Sequence, residues 1–172
     1  MLREMTRPEF ADVYALMELS FPPDERRPYA AQRALLDRPG YRIYVPADGP
    51  YALLAVWETP EFLFLEHFAV SPKRRGAGLG AALLAALLAR AQRQLVLEVE
   101  LPQTEPARRR IGFYTRNGLF LNRYDYAQPP LGPGQGSVPL LLMTSGAPVS
   151  EPVFRTIRDR LYWDIYGVWP NK

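Results

Sequence analysis

The sequence predicts an α+β fold: a mixed, mainly antiparallel sheet of about seven strands with helices on both faces, in a single domain over residues 1–172. Three observations predict it. Seven short segments are rich in aromatic, β-branched and leucine residues, and segments with helical spacing of apolar residues stand between them. The three strand-like segments between residues 41 and 70 follow one another through short turns, and after Leu101 the chain does not settle into a repeated strand–helix–strand array. At 172 residues, 48% hydrophobic and 23% charged, the chain is long and apolar enough for one sizeable core.

Residues 1–6 read as a short strand. Pro8 stands near the start of a helix whose apolar positions Phe10, Val13, Tyr14, Leu16, Met17 and Leu19 recur at helical spacing, and Pro22-Pro23 ends it. Tyr29 to Leu36 reads as a second short helix closed by Pro39-Gly40. Residues 41–46 and 51–58 flank Pro46-Ala47-Asp48-Gly49-Pro50 as a strand hairpin, and Glu61 to Val70 is a further strand. Leu79 to Arg93 is the longest helix expected, with leucines 79, 83, 84, 87 and 88 on one stripe to be buried against a sheet. From Leu95 to Leu101 the chain alternates, with Leu95, Leu97, Val99 and Leu101 on one face and Val96, Glu98 and Glu100 on the other.

Thr104 is the expected N-cap of a helix running through Arg116, with Pro106 tolerated in its first turn and Gly118 suited to end it. Strands are expected at 119–126 and 138–144, separated by the proline- and glycine-rich loop from Gln128 to Gly136. Residues 151–166 read as an amphipathic helix with Phe154, Ile157, Leu161 and Ile165 on one side. Trp163, Tyr166 and Trp169 suit either a homodimer interface or packing on their own domain.

The segment from Val70 to Ala81, VSPKRRGAGLGA, joins a strand to a helix through three cations and three glycines. Glycines let a backbone approach a ligand closely, and the free N–H groups of a helix start carry partial positive charge, so the segment has the makings of an anion-binding loop. A structural turn alone needs one or two glycines and no cations. Two ligand classes compete. Gly76, Gly78 and Ala81 fit the G-x-G-x-x-A spacing of a dinucleotide fold, with Glu98 and Glu100 at about the distance of a ribose-binding acid. Against it, five residues separate Val70 from Gly76, where that fingerprint begins at the strand's end.

Read as R-x-x-G-x-G, Arg75, Gly78 and Gly80 resemble the pyrophosphate loop of the GNAT acetyltransferase superfamily. Phe68-Ala69-Val70 resembles the end of that family's fourth strand, and Arg109 to Phe120, RRIGFYTRNGLF, resembles its second signature. The resemblance is clear from Glu61 to Phe120. It implies acetyl-CoA as acyl donor, with Phe68, Ala69 and Val70 pairing with the pantetheine arm. The pyrophosphate would lie on the backbone of Arg75, Gly76, Ala77, Gly78, Leu79, Gly80 and Ala81. In the same family the matching helix often carries asparagine at the position of Ala107 and alanine at that of Arg110; Arg110 is open either to a CoA phosphate or to solvent.

Acetyl transfer to an amine requires a neutral nucleophile, a polarised thioester carbonyl and a proton for the departing thiolate. By resemblance Tyr114 supplies that proton, since thiol and phenol values of about 8.5 and 10 are near-matched; helical packing of Ala107, Ile111 and Tyr114 is the structural alternative. Glu66, four residues before Val70, shares the face of Phe68 and Val70 and stands where some members carry their proton acceptor. A carboxylate of about 4.3 is a poor base for an ammonium of about 10, so it would act through water or need its pKa raised by burial. His67, the only histidine, is sent by alternation to the opposite face and reads as a packed, hydrogen-bonded residue. In the segment that the resemblance implies lines the acceptor pocket, Phe21 to Arg27, Asp24 and Glu25 with Glu98 or Glu100 would attract a cationic amine, and Arg26 and Arg27 an acidic one; a solvated loop is the third reading.

The function expected is direct acetyl-CoA-dependent N-acetylation of a small primary amine. The alternatives are a non-catalytic acyl-CoA-binding or regulatory module and an acetyltransferase for protein N-termini or side chains. No cysteine exists to provide a disulfide, a thiolate nucleophile or a zinc-thiolate site, and no metal is expected. A net charge of +3 with one arginine triplet, Arg108 to Arg110, is a weak footprint for nucleic acid, and none is expected as a partner. No signal-peptide core or membrane-spanning stretch is seen, so the cytoplasm is the expected location and no membrane partner is expected.

Overall fold

The computed structural model describes residues 1–168. The described residues form seven strands and five α-helices, the fold class expected. It divides into two compact units, the first Met1–Leu95 and the second beginning at Val96.

In the first unit, β1 (Leu2–Glu4), β2 (Tyr41–Pro46), β3 (Ala52–Glu58) and β4 (Phe62–Val70) pair antiparallel in chain order. Both faces of β3 are buried from Ala52 to Trp57, so its residues form a continuous apolar run rather than an alternation. The turn into β2 requires glycine at position 40. Its φ is +81°, its carbonyl accepts from Glu58 N–H at 2.8 Å, and a Cβ there would lie 2.7 Å from Glu58 O.

Helix α1 (Phe10–Ser20) buries Phe10, Val13, Tyr14, Leu16 and Met17. Leu19 does not join them and is 66% exposed. It follows Met17 by two residues, about 200° around the helix axis, which turns it to solvent. The second helix, α2 (Tyr29–Ala34), continues as a 3₁₀ turn, Leu35–Asp37. Helix α3 (Leu79–Arg90) buries Leu83, Leu84 and Leu87 and exposes Ala82, Ala85 and Ala89. It stops three residues short of the expected Arg93 because Ala91 is already extended and β5 begins at Gln94.

The second unit carries β5 (Gln94–Glu100), β6 (Leu119–Gln128) and β7 (Val138–Ser145), with β7 antiparallel to both of the others. Register shifts between Asn122 and Tyr126, and Asn122 closes the gap by donating to Thr144 Oγ1 at 3.0 Å and accepting from Val149 N–H at 2.8 Å. Helix α4 (Glu105–Arg116) starts as its sequence dictates, with Thr104 Oγ1 accepting from Ala107 N–H at 3.3 Å. It ends before Gly118, at φ +83°. Helix α5 (Glu151–Arg160) widens into a π turn, Leu161–Tyr166. That turn keeps Leu161 and Ile165 buried behind Phe154 and Ile157, the four positions the spacing predicts.

Candidate active site

Strand β4 does not alternate cleanly where chemistry was expected of it. Ala55 pairs with His67 and the next residue, Val56, pairs with Leu65, so Glu66 is an extra residue opposite the Ala55–Val56 step. Such a bulge rotates the local backbone and ends strict up-and-down alternation. The inference that Glu66 and His67 point to opposite faces therefore fails: Glu66 Oε2 lies 3.5 Å from His67 Nδ1, and each side chain is 3% exposed. The expectation that His67 is packed and hydrogen-bonded holds. Its Nε2 is 2.8 Å from Glu25 O, and its ring stands edge-on to Phe21 at 4.7 Å.

Glu66 has a second partner that sequence reasoning missed. Arg27 Nη1 donates to Glu66 Oε1 at 2.7 Å, and Arg27 is itself 7% exposed. Burial alone would raise the Glu66 carboxyl, but the Arg27 charge is the main opposing influence and the carboxyl is held at about 2. Glu66 is thus a fixed anion at neutral pH. Of the two ways it was expected to accept a proton, a burial-raised pKa is removed and passage through water remains. Position 27 lies 39 residues away in sequence, and nothing in the local pattern around either residue announces the pair.

The same contacts organise the segment from Phe21 to Arg27. Arg26 Nη1 donates to the Tyr14 hydroxyl at 2.8 Å and lies 3.5 Å from a Glu18 carboxylate oxygen, so both arginines are engaged internally. Asp24 is exposed and has no ion pair or side-chain hydrogen bond among the described residues.

At the end of β4, Phe68, Ala69 and Val70 pair with Leu54, Leu53 and Ala52 of β3. The chain then makes one 3₁₀ turn, Pro72–Arg74, before the glycines. The turn is tied back by Ser71 N–H to Tyr51 O at 2.8 Å, by Arg74 over the Tyr51 ring at 4.8 Å and by Arg75 Nε to Val70 O at 2.9 Å. Gly76 and Gly78 have φ of +90° and +73°, and no atom lies within 4 Å of a Cβ placed on either. Among the described residues no side chain caps helix α3. Its first ladder bond runs from Ala82 N–H to Gly78 O at 3.1 Å, so the N–H groups of Leu79, Gly80 and Ala81 stand outside the intrahelical ladder. Free donors, open space and the exposed cations Lys73, Arg74 and Arg75 in one loop fit a pyrophosphate.

Tyr114, in the second unit, is 8% exposed with its ring edge-on to Phe113 at 5.2 Å. Among the described residues its hydroxyl makes no hydrogen bond. Burial pushes its pKa up to about 12, against the Arg110 charge, which lowers it; Glu100 raises it further. Arg110 is exposed and ion-paired with Glu100. Glu98 accepts from the Tyr126 hydroxyl and from the Tyr166 hydroxyl at 2.8 Å. Tyr166 therefore packs on its own unit, whereas Trp163 is 46% exposed and Trp169 lies outside the described residues. A groove of about 410 Å³ in this unit is lined by Tyr126, Tyr162, Asp125, Arg158 and neighbouring apolar residues, and none of the expected catalytic or donor-binding residues lines it. Among the described residues no cluster of side chains could hold a metal ion, and no helix is long and apolar enough to cross a membrane.

The pattern of the Acetyltransferase (GNAT) family matches residues 10–119, well over half of the chain. The chain belongs to the GNAT acetyltransferase family. It is an acetyltransferase, and its acyl donor is acetyl-CoA. No curated protein matches it. Among solved structures it resembles a protein of Bacteroides thetaiotaomicron assigned to the GNAT family, at 34% identity and a TM-score of 0.91, over 98% of this chain and 99% of that one. Two further solved structures share the fold at lower identity. A ribosomal-protein-alanine N-acetyltransferase of Brucella melitensis is 17% identical with a TM-score of 0.60, over 84% of this chain and 98% of that one. A GNAT acetyltransferase of Elizabethkingia anophelis with acetyl-CoA bound is 16% identical with a TM-score of 0.58, over 84% and 96%. The dinucleotide reading of Gly76, Gly78 and Ala81 falls with this assignment.

Proposed function

We propose that this GNAT enzyme acetylates a small primary amine by direct attack, in the cytoplasm, with residues 1–172 working as one catalytic domain. The observation that carries the choice of acceptor is the state of the charges between Phe21 and Arg27. Arg26 and Arg27 are engaged by Tyr14, Glu18 and Glu66, whereas Asp24 is exposed and uncommitted among the described residues. The charge that the acceptor segment offers to solvent is thus negative, which suits a cationic amine and not a carboxylate-bearing one. A single family model spans residues 10–119, which supports treating the chain as one domain.

Bound acetyl-CoA supplies the acetyl group as a thioester, whose sulfur leaves as a thiolate. In this reading the backbone from Arg75 through Gly76, Ala77, Gly78, Leu79 and Gly80 to Ala81 holds the pyrophosphate, and Phe68, Ala69 and Val70 hold the pantetheine arm. The uncapped start of α3 and the three cations before it support the first assignment. Tyr114 keeps a proton on its hydroxyl for the thiolate. Glu66 takes the amine's proton through water, since its carboxylate is 3% exposed and held as an anion.

The test begins with calorimetric titration by acetyl-CoA, with NAD as control, and continues with CoA release measured across small primary amines and peptides with free N-termini. Micromolar binding of acetyl-CoA and turnover on small amines, weakened in Asp24→Asn, is the expected result. Turnover confined to the peptides would replace this acceptor with a protein, and binding without turnover on any amine would make the chain a non-catalytic acyl-CoA module.

A further inference from the structure

The only histidine of the chain is buried beside Glu66, and the hydrogen bonds around it fix where its protons sit. Glu25 O is a carbonyl and can only accept, so His67 Nε2, 2.8 Å away, must carry a hydrogen. In a neutral imidazole the other nitrogen, Nδ1, is then a bare lone pair. It faces Glu66 Oε2 at 3.5 Å, and neither atom has a hydrogen-bond partner among the described residues. Two buried acceptors facing one another are mutually repelling, and a single proton between them removes the repulsion and satisfies both.

We propose that Glu66 and His67 form one proton-binding pair, in which His67 is the positioning residue that receives through Nδ1 the proton the acceptor amine gives up to Glu66. This rests on the acetyltransferase reading given above. The bulge at Glu66 makes the pair possible by bringing adjacent side chains together. The groups that face the pair are few. Arg27 holds Glu66 Oε1, the Phe21 ring covers the imidazole, and on β2 the buried Tyr41 hydroxyl, which accepts from Gln32 Nε2 at 2.5 Å, has its own pKa raised by burial first and then by the Glu66 charge. In the step itself the ammonium N–H bond breaks, and the proton passes by water to Glu66 Oε2 and on to Nδ1. There an N–H bond forms and the imidazole becomes an imidazolium. Glu66 is again an anion, and the imidazolium returns its proton to solvent before the next cycle. The hand-off spares Glu66 from storing a proton that Arg27 disfavours.

Because the chain has one histidine, ring-nitrogen NMR of the ¹⁵N-labelled protein reports on this imidazole alone. In the wild type Nε2 is expected to carry a hydrogen and Nδ1 to show a proton shared with Glu66. In Glu66→Gln the new amide oxygen can still accept from Arg27 while its N–H₂ donates to Nδ1, so Nδ1 should stay bare. A bare Nε2, or an Nδ1 that behaves alike in both proteins, overturns the pair whether or not the enzyme turns over. His67→Gln keeps a donor for Glu25 O and cannot carry a proton. With acetyl-CoA and an acceptor found by the screen, it should lose the acid limb of kcat/KM and about 10-fold to 100-fold of kcat, at the low end of acid–base contributions. An unchanged pH profile in His67→Gln makes His67 a purely structural residue and overturns the proposal while leaving the acetyltransferase reading intact. If His67→Gln does not fold, the Glu66→Gln spectra decide.

Discussion

Replacing Arg27 with methionine isolates the electrostatics of the buried carboxylate. In the wild type the Glu66 carboxyl is lowered from 4.5 to about 2 on folding, a difference worth about 3 kcal/mol at neutral pH at 1.36 kcal/mol per unit. A depressed folded-state value means that this stability is fully present above about pH 4.5 and is lost as pH falls from there towards 2. Methionine keeps the stem that packs in the core but removes the donor and the charge, leaving an unpaired carboxylate that is 3% exposed. Loss of one partner of a buried pair costs about 3–5 kcal/mol. With the main lowering influence gone, burial prevails, the folded-state value rises above the unfolded one, and the sign of the dependence reverses. The variant should then lose stability as pH rises above about 4.5, where the wild type gains nothing more from this group. Urea unfolding followed by tryptophan fluorescence at unit steps from pH 2 to 8 reads both slopes. Parallel curves for the two proteins, or a loss under about 1 kcal/mol at pH 7, would refute the reasoning.

Three further outcomes are expected. Tyr114→Phe should lower kcat by about 100-fold or more with little change in acetyl-CoA affinity, read by steady-state kinetics beside calorimetry. Gly78→Val meets open space, so its cost is the positive φ, about 1–2 kcal/mol; the protein should fold with a lowered Tm and fail to bind acetyl-CoA, and normal binding would remove the loop from the donor site. Thr104→Ala takes away the side-chain acceptor of Ala107 N–H and should cost about 1 kcal/mol in denaturant melts.

Signals confined to a few residues were legible in the sequence. Thr104 before Glu105-Pro106, Gly118 after Asn117 and the glycines at 76 and 78 each state a local backbone requirement, and each is met where expected. The hairpin around Asp48-Gly49 and the stripe of Phe154, Ile157, Leu161 and Ile165 are equally local. Alternation failed at Glu66 because β4 is buried on both faces from Phe62 to Leu65, so polarity could not mark an inward and an outward side. One trace of the bulge was present: Glu66-His67 is a polar pair inside an apolar strand, and a regular strand would have to bury one on each face. Arg27–Glu66 left no trace, since one arginine among nineteen says nothing of a partner 39 residues away.

The two groups assigned to proton transfer have been moved away from neutrality in opposite directions, Glu66 to about 2 and Tyr114 to about 12. Each therefore has one charge state at pH 7, anionic for Glu66 and neutral for Tyr114. For Tyr114 this is compatible with the role proposed for it. Giving a proton to a thiolate of about 8.5 is uphill by about 3.5 units, or about 5 kcal/mol, well inside the barrier of about 16 kcal/mol that corresponds to a turnover of about 10 per second. The proton is also always there to give, and the Arg110 charge favours the phenolate that remains. Glu66 faces the opposite problem, since a proton placed on a carboxyl of about 2 does not stay. A base that cannot retain its proton serves only if a neighbour removes it, and the His67 imidazole stands 3.5 Å away. The fixed charge on Glu66 and the unsatisfied nitrogen of His67 are thus two parts of one electrostatic arrangement, built on a single bulge in β4.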